Sequence, residues 1–176
     1  MKALEQAAEG HDVEGVIACF APDIIIRSPI TQRIRFSGIE QASDLFRRVF
    51  DLVSEIRFYE TVGEGSTTQV IFWRGRVGRH YLEEANLLHL DGHGQIREMT
   101  VFMRPVPGVL ALAARLASSL ATRRGRLRAI AVRMALGSIA SVYTAAEPTI
   151  VRLVGAGVHV PLSEWRPDLR PSQSSR

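Results

Sequence analysis

The sequence is poor in cysteine, poor in lysine and free of long apolar runs. Its one cysteine, Cys19, lies among apolar neighbours and allows no internal disulfide, which is expected for a protein of the reducing cytoplasm. No segment reaches the ~18 apolar residues that a membrane-spanning helix needs. The first residues also lack the pattern of a secretion signal. These absences predict a cytoplasmic protein that contacts at most the surface of a membrane.

Three kinds of recognition motif are missing as well. The five histidines show no metal-ligand spacing with one another or with the cysteine. The glycine-containing segments lack the strand–turn–helix setting of a phosphate-binding loop. The arginine-rich segment has no interleaved aromatic residues and matches no nucleic-acid-reading module. We therefore predict no metal site, no cofactor and no nucleic-acid partner.

Charge divides the chain into two parts. Residues 1–104 carry 12 basic and 15 acidic side chains, whereas residues 105–176 carry 10 basic and 3 acidic ones, for a net charge of +4. Hydrophobic residues make up 46% of the sequence, which is typical of a soluble domain with a buried core. Because Pro105 and Pro107 mark the change, we predict a domain at 1–106, a helical extension at 107–160 and a mobile polar tail at 161–176.

The first domain has the pattern of an α+β fold, with helices first and antiparallel strands afterwards. Asp91, Gly92 and Gly94 lie between two apolar runs and predict a short hairpin loop with positive-φ glycines. A long amphipathic stripe predicts the main helix. The predicted order is helices at 4–9 and 13–20, a strand at 23–29, a polar loop at 31–38, the main helix at 39–56, and strands at 57–62, 68–77, 80–90 and 95–105.

Three segments in this order resemble the nuclear-transport-factor-2-like superfamily, specifically its SnoaL-like branch, over about residues 3–105. They are HDVEGVIACFAPDIIIRSP (11–29), FSGIEQASDLFRRVF (36–50) and LLHLDGHGQIREMTVFMRP (87–105). The resemblance implies a cone, in which a curved antiparallel sheet wraps around the long helix and encloses an apolar cavity. It also implies a homodimer. Members include cyclases, isomerases, hydrolases and binding modules, so the fold alone does not decide the function.

Strand alternation predicts which side chains face this cavity. On the strand at 80–90, the inward face carries Glu84, Asn86 and leucines. On the strand at 95–105, the face with the methionines is the one predicted to point inward. Thioethers adapt to ligand shape, so such a lining suits a flexible apolar molecule. The predicted ligand-binding residues are Trp73, Asn86, Leu88, Met99, Val101 and Met103. The alternative is that these residues simply pack as core.

The carboxylates that the resemblance implies for catalysis are missing. Ketosteroid isomerases carry an aspartate base where this chain has Ser28, and a hydrogen-bond-donating aspartate where it has Asn86. Epoxide hydrolases of this type carry an aspartate where it has Val101. Glu84 remains as the one weak catalytic candidate, because it lies two residues from Asn86 on the same face. Alternatively, Glu83 and Glu84 lie at a rim and face water.

Three functions follow as hypotheses. The missing carboxylates favour a binding module for an apolar small molecule over an enzyme. The second hypothesis is an isomerase, cyclase or hydrolase that uses Glu84 and Asn86. The third is a dimeric interaction module whose cavity is filled by its own side chains. A drug-sized ligand needs roughly 300 Å³ or more, so a smaller void would favour the third hypothesis.

The basic segment 109–143 has three interpretations. Its helices cap the open mouth of the cone or extend its core, form a dimer contact, or make a peripheral contact with an anionic membrane through their arginines and aliphatic side chains.

Overall fold

The computed structural model describes residues 1–121 and, beyond them, short helical stretches at 138–139, 142–143, 145–147, 149–150 and 152–153. The predicted tail at 161–176 lies outside the described residues, as does most of the predicted extension beyond residue 121. The helices are α1 (Lys2–Glu9), α2 (Val13–Ile17), α3 (Ile39–Leu52) and α4 (Val106–Ala121). The strands are β1 (Phe20–Arg27), β2 (Arg35–Ser37), β3 (Ser54–Val62), β4 (Thr68–Val77), β5 (His80–Leu90) and β6 (Ile96–Arg104).

The six strands of residues 1–121 form one sheet in the order β2-β1-β6-β5-β4-β3. β1 pairs antiparallel with β2 and parallel with β6, and the remaining neighbours are antiparallel. β3 carries register shifts along its pairing with β4, and irregularities of this kind bend a sheet. The predicted α+β cone, with a curved sheet against the long helix, is confirmed.

Apolar spacing explains why α3 packs into the sheet. Ala42, Leu45 and Phe50 are buried on one face of the helix, three to five residues apart, while its charged residues lie on the other face. α3 ends at Leu52 because Val53 is extended and leads directly into β3. The predicted helix at 39–56 was therefore four residues too long, since Val53 is extended and residues 54–56 belong to β3.

Three other local predictions need correction. α2 ends at Ile17, and Phe20 begins β1, where it pairs with Ile96 of β6. The loop predicted at 31–38 contains the short edge strand β2. In the hairpin only Gly94 has a positive φ, because Asp91 shapes the rest of the turn: its Oδ1 accepts hydrogen bonds from the backbone N–H groups of His93 and Gln95.

α4 packs against α3 and strands β4 to β6, and it buries Leu112, Ala113 and Ala114. The Arg48 guanidinium of α3 donates to the backbone oxygen and to Oγ of Ser119, at 3.2 and 2.6 Å. No helix in the described part of the chain combines the length and the hydropathy needed to cross a bilayer. The predicted homodimer and the membrane contact of 109–143 stay predictions.

Gly108 is expected to be indispensable for this packing. A Cβ at position 108 would overlap the backbone carbonyl oxygen of Tyr81, so α4 could not keep its distance from β5. Gly108→Ala should lower the free energy of unfolding by about 2 kcal/mol, because such overpacking outweighs the gain of about 1 kcal/mol in helix propensity. Urea denaturation measures the change. Gly92→Ala is the control, since a Cβ there meets open space; equal stability of the two variants would contradict the prediction.

Candidate functional site

A cavity of about 120 Å³ lies between the inner face of the sheet and helices α1 to α4. Its lining is almost entirely apolar. Apart from the indole N–H of Trp73, its polar groups come from Ser28, Glu84 and Asn86. The apolar lining comprises Leu4, Ala8, Val16, Ile26, Pro29, Ile30, Phe36, Leu45, Phe46, Val49, Phe50, Ile56, Phe58, Ile71, Met99, Val101, Met103, Leu112 and Leu116.

The pairing of β4, β5 and β6 brings the predicted site residues together. Glu84 lies between Trp73 on β4 and Met103 on β6 in the register of the sheet. Asn86 lies one step along β5 on the same face, opposite Val101 of β6. Five of the six predicted ligand-binding residues line the cavity, together with Glu84: Trp73, Asn86, Met99, Val101 and Met103.

Leu88 is the exception and needs correction. It is fully buried and pairs with Gln69 and Met99, but it belongs to the solid core and does not line the cavity. Alternation along β5 correctly gives the side of the sheet on which Leu88 lies. Alternation does not show at which residue along the strand the cavity ends.

Glu84 is a buried acid in an apolar environment. Only 7% of its surface is exposed, and within residues 1–121 none of the ion pairs involves it. Desolvation raises the pKa of Glu84 to about 8, although hydrogen bonds from Asn86 and Trp73 act in the opposite direction. The alternative of a solvent-facing rim is therefore wrong for this residue. At neutral pH most Glu84 side chains carry a proton.

Asn86 is the second polar group of the cavity. It is 3% exposed, and its Oδ1 has no hydrogen-bond partner within the described part of the chain. A buried acceptor without a donor costs roughly 1–3 kcal/mol. A bound molecule with a hydrogen-bond donor would remove that cost.

Glu83, the neighbour of Glu84, lies on the opposite face of the sheet in a contrasting environment. Tyr59 donates its hydroxyl to Glu83 at 2.7 Å, and Arg104 forms an ion pair with the same carboxylate. Burial opposes ionisation of Glu83, but the hydrogen bonds from Arg104 and Tyr59 outweigh it and lower its pKa. Two consecutive glutamates therefore hold opposite protonation states at neutral pH.

Sequence reasoning missed much of the helical lining. Phe46 and Phe50 belong to the apolar stripe that predicts the main helix, but that stripe does not identify them as cavity residues. Leu112 and Leu116 lie one helical turn apart on α4, and this spacing is the one signal that could have revealed them. Ser28, at the position where the resemblance implies a base, does line the cavity. Its Oγ accepts from the backbone N–H of Ile30 at 3.2 Å.

Comparison with known proteins supports the fold. The family model of the SnoaL-like domain matches residues 2–105. A steroid delta-isomerase from Pseudomonas aeruginosa is similar in structure, with 22% identity, a TM-score of 0.60, and coverage of 66% of this chain and 85% of that one. An uncharacterized protein with a cystatin-like fold from Silicibacter pomeroyi reaches 21% identity and a TM-score of 0.64, covering 74% of this chain and 92% of that one.

A further similar structure is an NTF2-like protein of unknown function from Mesorhizobium loti, with 17% identity and a TM-score of 0.51, covering 60% of this chain and 88% of that one. At these identities the likeness concerns the fold alone. Among curated proteins, none matches the chain.

Proposed function

The chain belongs to the SnoaL-like domain family, and from that premise we propose that its cavity binds a small, mostly apolar molecule through one hydroxyl group. The observation that carries the proposal is the pairing of a buried acid, Glu84, with an unpartnered amide oxygen, Asn86 Oδ1, in an otherwise apolar wall. Ligand sites of this kind combine an apolar lining with a few convergent polar groups.

The volume of the cavity limits the size of the ligand. About 120 Å³ is below the roughly 300 Å³ that drug-sized ligands need, so the volume favours a largely filled cavity over a large ligand. A dry apolar cavity of roughly 150 Å³ nevertheless accommodates a benzene molecule. We therefore expect a ligand with about one ring.

The polar groups favour a hydroxyl over other substituents. Protonated Glu84 has an O–H group that can donate to the ligand oxygen. Asn86 Oδ1 can accept the hydrogen of the same hydroxyl. One hydroxyl would thereby satisfy both buried groups, at the point where the rest of the lining is apolar.

The third hypothesis, an interaction module with a filled cavity, does not account for these two groups. Burying a carboxyl and an amide oxygen without full hydrogen bonding lowers stability, and apolar side chains would fill the same space at lower cost. A binding role gives a reason for both.

Benzyl alcohol is a suitable probe, because it has one ring and its hydroxyl does not titrate in the working range. Its affinity should fall by about tenfold between about pH 6 and about pH 9, because Glu84 loses the donated proton over this range. Isothermal titration calorimetry measures the affinity at both values.

Two variants test whether Glu84 causes this pH dependence of the affinity. Glu84→Gln should bind at both pH values with no pH dependence, since an amide N–H replaces the acid proton. Glu83→Gln changes a glutamate on the opposite face and should keep the wild-type dependence. Absence of binding, or equal wild-type affinity at both pH values, would refute the proposal.

Proton transfer is a second candidate function, and the pKa of Glu84 favours it. A pKa of about 8 is close to the working pH, where one carboxyl can both take and return a proton. The substrate would be a small carbonyl compound. Ionised Glu84 would remove a proton from the carbon next to the carbonyl, the C–H electron pair would form the enolate double bond, and the carbonyl π pair would move to oxygen. The protonated carboxyl would then return the proton to carbon, and the oxygen pair would restore the carbonyl.

A further inference from the structure

α4 lies outside the segment that the family model matches, yet it forms part of the cavity. The match ends at residue 105, and α4 begins at Val106. Leu112 and Leu116 of this helix line the cavity, and Leu112 is only 3% exposed. One wall of the cavity is therefore formed by the helix that follows the matched segment.

Contacts at both ends hold α4 in place. Near its beginning, Gly108 lies so close to the Tyr81 backbone that no side chain fits between them. Near its end, Arg48 donates to Ser119 Oγ at 2.6 Å, and Asp44 orients the same guanidinium with oxygen distances of 3.2 and 3.3 Å. Because these contacts hold α4 at two points, the helix cannot easily move away from the cavity to admit a larger ligand.

We propose that Leu112 and Leu116 of α4 are specificity-determining residues that limit the ligand of the cavity to about one ring. This inference rests on the proposed binding function. Both side chains border the cavity, so their length limits the space that a ligand can occupy. Because the surroundings of a truncated core residue relax only partially, alanine at either position should leave usable volume in the cavity.

The test compares benzyl alcohol with naphthylmethanol, which has the same hydroxyl group and one additional ring. Wild-type protein should bind benzyl alcohol and bind naphthylmethanol weakly. Leu112→Ala and Leu116→Ala should each bind naphthylmethanol about tenfold more tightly than wild type, which is typical for a change in pocket size by a few carbon atoms. Fluorescence titration measures naphthylmethanol directly, and calorimetry measures benzyl alcohol.

Leu110→Ala is the matched control. Leu110 is a half-buried leucine of the same helix and does not line the cavity, so its truncation should leave both affinities unchanged. Leu116→Ala covers the case in which Leu112→Ala fails to fold, because Leu116 is less buried.

The outcomes distinguish the two proposals. If wild type binds benzyl alcohol and neither alanine variant gains affinity for naphthylmethanol, the role of α4 is refuted and the binding function stands. Equal wild-type affinity for both alcohols also refutes the size limit. If neither alcohol binds any variant, the binding function fails, and the inference about α4 fails with it.

Discussion

The free energy of unfolding of this protein is expected to fall as the pH rises from about 4.5 to about 8, and Glu84 is the cause. Unfolded glutamate titrates near 4.5, whereas burial raises the pKa of Glu84 to about 8 in the folded protein. Between these values the folded state binds more protons than the unfolded state, so raising the pH favours unfolding. The full loss is roughly 5 kcal/mol, a large share of the stability of a small domain.

Urea denaturation at about pH 5, 6.5 and 8 measures this loss, and Glu84→Gln should remove it. The comparison with the variant also cancels the contribution of His80, whose pKa is lowered by burial. Glu83→Gln should retain the wild-type slope, because the lowered pKa of Glu83 places its titration below this range. Parallel stability curves for wild type and Glu84→Gln would show that Glu84 is not the cause.

Glu84→Gln is also expected to abolish proton exchange on a small ketone, if the second candidate function holds. In deuterium oxide the wild-type protein should accelerate deuterium incorporation next to the carbonyl of cyclohexanone. An amide cannot accept the carbon-bound proton, so the variant should lose about 100-fold of this rate. Proton NMR follows the loss of signal with time.

Binding provides the control for this experiment. Glu84→Gln should still bind benzyl alcohol at about pH 6, so that loss of exchange cannot be attributed to loss of the cavity. Glu83→Gln should exchange at the wild-type rate. A wild-type protein that binds benzyl alcohol but accelerates no exchange would limit the function to binding.

The sequence predicted the sheet better than the helices that pack on it. The bounds of β4 and β5 were predicted correctly, because their alternating patterns end at Gly63–Ser66, Gly78 and Asp91-Gly92. β2 was missed, since a strand of only three residues is too short to show alternation. The end of α3 was misplaced, because Val49, Val53 and Ile56 continue the apolar spacing of a helix, although Ile56 lies in β3.

The candidate site was predicted only in part, because the sequence pattern did not show how the helices cover the sheet. Alternation placed Glu84 and Asn86 on the inner face, and the structure agrees. Whether Glu84 lies at a rim or in the interior depends on the helices that cover it, and a strand pattern carries no information about them. The same limitation explains the error at Leu88 and the omission of Leu112 and Leu116.

The opposite environments of Glu83 and Glu84 depend on the pleat of a single strand. Sliding β5 by one residue would turn Glu83 into the cavity and place Glu84 on the face of Tyr59 and Arg104. A one-residue insertion or deletion in the connection between β4 and β5 would thus invert the polarity of both faces at once. We expect the length of this connection to tolerate less change than its composition.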